Sequence, residues 1–168
     1  MSLAIPNVAL IVLIGPSGAG KSTFAAKHFR PTEVVSSDEC RALVADDEND
    51  QAATPAAFRV LHAIVRERMH QHRMTVVDAT NVKPMSRKPL IASARRYGVP
   101  TVAIVFDLPL KLCLERNRNR ASRSLTDGVV RRQHEQMKLG LVGLPAEGFD
   151  AVHVLGTAAA VDAVSLAS

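Results

Sequence analysis

The sequence has no tryptophan, one tyrosine (Tyr97) and five phenylalanines among 168 residues. Binding nucleic acid on an extended stacking platform takes a series of aromatic rings, so that mode is not expected. There are only two cysteines, Cys40 and Cys113, far apart and without a C-x-x-C pair. Reduced thiols and a cytoplasmic location are the expectation. No stretch approaches the roughly 20 apolar residues of a membrane-spanning helix. The apolar run Val8–Ile14 has no basic leader before it and reads as a strand, not a signal peptide. Protein-only metal sites are also poorly supplied. His70 and His72 are two apart and point to opposite sides of a helix, and the acidic run Asp46–Asp50 lacks the glycine and closing glutamate of a Ca²⁺ loop.

What the sequence does contain is a phosphate-binding loop. Residues 15–22, Gly-Pro-Ser-Gly-Ala-Gly-Lys-Ser, have the G-x-x-x-x-G-K-[ST] spacing and follow directly on the apolar run. Glycines at 15, 18 and 20 allow turns closed to other residues, so that the backbone N–H groups of Gly15, Pro16–Ala19 and Gly20 onward can cradle phosphate oxygens, proline excepted. Lys21 adds a point charge and Ser22 a hydroxyl for Mg²⁺, with Thr23 next in the same turn. The chain is therefore expected to bind ATP with Mg²⁺. Its formal net charge of +5 favours an anionic partner, and 47% apolar residues suffice for one compact domain over residues 1–168.

Short apolar runs alternate with helical periodicity along the whole chain. Strands are expected at residues 8–14, 33–36, 74–78, 101–106 and 151–155. Helices are expected after the loop, over 56–73, 84–97, 110 to about 120 and 128 to about 141, with an Ala-rich helix at the end. This alternation predicts an α/β fold: a five-stranded parallel sheet with helices on both faces and ligands at the carboxyl ends of the strands.

Asp38, Asp78 and Asp107 each close a predicted strand. Each could serve the site or simply cap the following helix. Arg41 falls one turn after Asp38, a pairing suited to an acceptor with a hydroxyl beside a phosphate. Arg116, Arg120 and Arg123 recur at i, i+4 and i+7 just before the polar break 121–127, where three like charges on one face fit a lid over a triphosphate. Arg131 and Arg132 are read as a weaker extension of the same field.

The chain lacks the Asn-Lys-x-Asp motif of GTPases and the Leu-Ser-Gly-Gly signature of transporter ATPases, which leaves a small kinase. From the phosphate loop through Ser36–Arg41, Asp46–Gln51, Val76–Asn81, Phe106–Pro109, Glu115–Arg118 and Val129–Gln133, it resembles the polynucleotide 5′-kinase domain of bacterial end-healing DNA and RNA repair proteins. That resemblance implies a P-loop kinase fold with an Arg-bearing lid and transfer of the ATP γ-phosphate to the 5′-hydroxyl of DNA or RNA. By the same resemblance Lys21 and Ser22 hold phosphates and Mg²⁺, and Asp38 is the general base. Arg41 grips the phosphate beside the acceptor nucleoside, and Arg123 with Arg116 clamps ATP; from the residue pattern, Asp78 is added as a substrate-side residue and Arg120 as an ATP-side one. The sequence departs from the family in the lid, where Arg120-Ala121-Ser122-Arg123 stands in place of Arg-Pro-Asp-Arg. Domains of this family are often fused to phosphatase and adenylyltransferase modules, and a homodimer, or phosphatase and ligase partners, stay open. The alternative is a small-molecule kinase of the gluconate, shikimate or sugar-nucleotide type.

Overall fold

The computed structural model describes residues 1–121 and 125–167. Its elements are, in order, β1 (Ser2–Ala4), β2 (Leu10–Ile14), α1 (Lys21–His28), β3 (Val34–Ser36), α2 (Ser37–Ala45), α3 (Thr54–His70), β4 (Thr75–Asp78), α4 (Pro84–Arg96), β5 (Thr101–Phe106), α5 (Leu110–Arg118), α6 (Asp127–Leu141), β6 (Ala151–Leu155), α7 (Ala158–Asp162) and β7 (Ser165–Ala167). The main sheet is parallel with order β3-β4-β2-β5-β6, as the alternation of elements predicts.

The inner strands β2, β4 and β5 are buried at every position, which is why they read as largely apolar runs, with Thr75, Asp78 and Thr101 as the buried polar exceptions at their ends. Their side chains alternate between two cores. Ile11, Leu13, Ile104 and Phe106 pack with Phe24 of α1 and with Cys113 and Leu114 of α5. Leu10, Val12, Ala103 and Val105 pack with Leu61 and Val65 of α3 and Leu90 of α4. Helix α6 serves both, with Val130 in the first core and Met137 in the second. Each such large apolar side chain contributes about 1.5–3 kcal/mol on burial.

Two features lie outside the sequence expectation. A two-stranded parallel sheet joins β1 to β7, with Leu3 opposite Leu166, and the Ala-rich terminal helix is therefore only the short α7. Helix α2 is also complete. Its N-cap is Ser36, whose Oγ accepts the Glu39 N–H at 3.3 Å.

The chain moves outward from β2 to opposite sides of the sheet, leaving a crevice above the carboxyl ends of β2, β4 and β5. The loop 15–20 occupies that crevice.

Candidate active site at the phosphate loop

The loop leaves β2 at Ile14 and enters α1 at Lys21 through Gly18 (φ +81°) and Gly20 (φ +88°), both left-handed. At Gly18 a Cβ would lie 2.2 Å from the Cys113 carbonyl oxygen, so the loop lies directly against α5. Helix α1 has no side-chain cap and no acidic residue in its first turn. Its free N–H groups and the positive end of its dipole make an anion seat. Lys21 is 8% exposed and donates from Nζ to the Pro16 carbonyl at 2.8 Å. Burial lowers its pKa to about 8, with Asp78 opposing that shift and Arg120 adding to it.

Concavities lie on both sides of the loop. One is bordered by Gly18, Gly20, Thr23, Lys27, Arg116, Arg120 and Asp162. The other is bordered by Ser17, Ser37, Asp38, Asp78, Thr80 and Leu125. Lys21, Ser22 and Arg120 border both. A phosphoryl group held between the two is thus flanked by a lysine, a hydroxyl and a guanidinium, the arrangement that in-line transfer calls for.

The three strand-end carboxylates have different surroundings, and none is a helix cap. Asp38 sits in the first turn of α2, after the Ser36 cap, and takes a 2.5 Å bond from Arg41 Nη1. Asp78 accepts from Ser22 Oγ at 2.7 Å across the head of the cleft. Asp107 is held by Lys138 Nζ at 2.9 and 3.0 Å and borders neither concavity, and the cap of α5 is Pro109. Among the described residues no group of three His, Cys, Asp or Glu side chains converges on a metal. The Ser22 hydroxyl with Asp78 fits Mg²⁺ nonetheless, because that ion takes most of its ligands from phosphates and water.

The arginines divide in the same way. Helix α5 ends at Arg118, yet Arg116 and Arg120 both border the concavity beside Gly18 and Gly20. Arg123 lies outside the described residues. Arg118 turns away to a bidentate ion pair with Asp127. Arg131 borders the outer α5–α6 surface and Arg132 the β4–α4 loop, so they do not extend the triphosphate field as the sequence suggested. Arg41 is 6% exposed and stands behind Asp38, with Nε donating to Thr54 Oγ1 at 3.1 Å. It does not line the concavity that Asp38 borders.

Three amides escaped the sequence reading of individual roles. Asn117, fully buried on α5, accepts from Ser17 Oγ at 2.9 Å and donates to the Leu125 carbonyl at 2.7 Å, tying the phosphate loop to the far end of the 121–127 segment. Gln133 on α6 accepts the Ser17 N–H at 2.9 Å. Asn81 donates to the Leu13 carbonyl at 2.8 Å and so joins the β4–α4 loop to β2. Besides lying in segments that carry the family resemblance, they were marked only by polarity at helix or strand-end positions flanked by core residues.

Comparison with known proteins bears on the fold. No curated protein matches the sequence significantly. Among solved structures, a chain of the Pnkp1/Rnl/Hen1 RNA repair complex is similar at 21% identity and TM-score 0.67, over 80% of this chain and 46% of that one. A chain of the AvrRxo1-ORF1:-ORF2 complex is similar at 16% identity and TM-score 0.71, over 90% and 55%. Shikimate kinase from Acinetobacter baumannii is similar at 17% identity and TM-score 0.57, over 92% and 88%. The chain spans less than half of the repair-complex chain, and these likenesses are ones of fold. The AAA domain family model matches residues 10–143, from β2 to just beyond α6. With its phosphate loop between β2 and α1 and a parallel sheet beneath it, the chain belongs to the AAA domain family and has the P-loop kinase fold.

Proposed function

We propose that the chain transfers the γ-phosphate of ATP to the 5′-hydroxyl end of DNA or RNA. The observation that supports this most is Asp38, a carboxylate bordering the acceptor concavity opposite Lys21 and Ser22 and fixed by Arg41 at 2.5 Å. Bound Mg²⁺ would neutralise charge on the β- and γ-phosphates, with Ser22 and Asp78 as its protein contacts. Lys21 holds the oxygens between leaving and entering groups. Asp38 accepts the proton of the attacking hydroxyl. Arg41 aligns the Asp38 carboxylate. Arg116 and Arg120, with Arg123, stabilise charge on the triphosphate.

A second reading, phosphorylation of a small polyol or sugar nucleotide, draws support from the burial of Arg41, which makes it foremost a partner of Asp38. The structural likeness to shikimate kinase is compatible with it. Labelled γ-phosphate transfer to 5′-hydroxyl oligonucleotides, run beside nucleosides, gluconate and shikimate, tests one against the other. Label on the oligonucleotide ends supports the first reading, and label on a small polyol alone supports the second.

A further inference from the structure

We infer that a polar groove between the β4–α4 loop and α6 receives the second phosphate of the acceptor strand, counted from the reacting end, a subsite that rests on the nucleic-acid reading above. The groove adjoins the acceptor cleft at two points. Thr80 borders both, and Ser17 in the cleft wall gives its N–H to Gln133 in the groove wall.

The two sides of the groove carry Lys83, at the N-cap of α4, and Arg132, on α6. Several cations that meet a neighbouring element are neutralised there: Arg87 by Glu147, Arg118 by Asp127 and Lys138 by Asp107. Lys83 and Arg132 are exposed, and their side chains have no ion pair or hydrogen bond among the described residues.

The face of α6 is unusual in the same place. Val129, Arg132, Gln133 and Gln136 follow the i, i+3, i+4, i+7 pattern of one helical stripe and line the groove. One turn further on, a Cβ at Gly140 would lie 3.5 Å from the Val82 carbonyl and from Arg87 Nη2, so the stripe closes onto α4 there. A helix face turned towards a neighbour is ordinarily apolar. Here its open half is cationic and amide-bearing, and it stands opposite a lysine. Helix α4 begins without a side-chain cap or an acidic residue in its first turn, so its dipole adds to the two cations. A phosphodiester supplies the missing charge and accepts from both Lys83 and Arg132.

The test compares a nucleoside 3′-phosphate with a dinucleotide that also carries a 3′-phosphate, both with a free 5′-hydroxyl, at fixed ionic strength. The expected result is a roughly tenfold higher kcat/KM for the dinucleotide, as for one charge-assisted contact. In the Lys83→Ala, Arg132→Ala double variant the ratio should fall to about one, and Lys83→Arg with Arg132→Lys should restore most of it. The salt dependence of dinucleotide KM should become shallower by about 0.7 in log–log slope, as for one single-strand phosphate. A ratio unchanged in the double variant overturns the inference. A wild-type protein that uses the mononucleotide but gains nothing from the second phosphate overturns the groove alone. One that uses neither and phosphorylates a sugar overturns the groove together with the nucleic-acid reading.

Discussion

Arg41 Nη1 lies 2.5 Å from Asp38 Oδ1, with the guanidinium buried and the carboxylate at the edge of the acceptor cleft. In that geometry the arginine acts on the reaction largely through the aspartate. Asp38→Asn should lower kcat roughly 10²-fold or more with ATP binding little changed. Arg41→Ala should also lower kcat, and the double variant should be no slower than Asp38→Asn, because a pair acting as one unit is not additive. Steady-state kinetics on the three variants checks this. Additive losses would mean that Arg41 contacts the acceptor independently. Because Arg41 is buried, Asp38→Asn leaves it short of its partner, so a lowered melting temperature is expected as well.

The depressed pKa of Lys21 sets a pH dependence. Burial holds it at about 8 against the 10.5 of a free lysine. Between those values the unfolded chain binds the extra proton, so this group's contribution to stability rises with pH across the window from about 8 to 10.5 in the ligand-free protein. A triphosphate restores the charge, so binding above pH 8 takes up a proton and affinity falls as pH rises further. Calorimetry of ATP-analogue binding at pH 8.5 in two buffers of different ionisation enthalpy should show net proton uptake of up to one. Equal heats in both buffers would contradict this account.

Asn117 links Ser17 to Leu125 from a fully buried position. Removing it leaves the Ser17 hydroxyl and the Leu125 carbonyl without these partners, each at a cost of about 1–3 kcal/mol if it stays dry. Asn117→Ala should therefore lower the melting temperature and raise the KM for ATP, since both the loop and the segment beyond Arg120 lose their common anchor. An unchanged KM in a protein that only melts earlier would reduce Asn117 to a purely structural role.

The sequence was most informative where one residue type has one physical use. Gly18 and Gly20 sit at left-handed angles that Gly accommodates best, and the buried strands are mostly apolar, so the loop and the sheet were readable directly. The strand-end aspartates were harder. The choice between ligand and cap depends on partners distant in the chain, as with Ser22 for Asp78 and Lys138 for Asp107. The same holds for Arg131 and Arg132, adjacent in sequence but turned by the helix towards different surfaces. Sheet β1–β7 is built from two three-residue segments at opposite ends of the chain, too short to carry a period.

The central claim concerns the acceptor, and γ-phosphate transfer to matched acceptors tests it most directly. A nucleoside 3′-monophosphate, the bare nucleoside, gluconate and shikimate are compared at equal concentration with ATP and Mg²⁺. The account predicts label on the 5′-oxygen of the nucleoside 3′-monophosphate and little on the bare nucleoside, because a phosphate beside the acceptor hydroxyl is gripped only when present. Faster transfer to the bare nucleoside or to a free polyol would contradict it and leave the small-molecule kinase in its place.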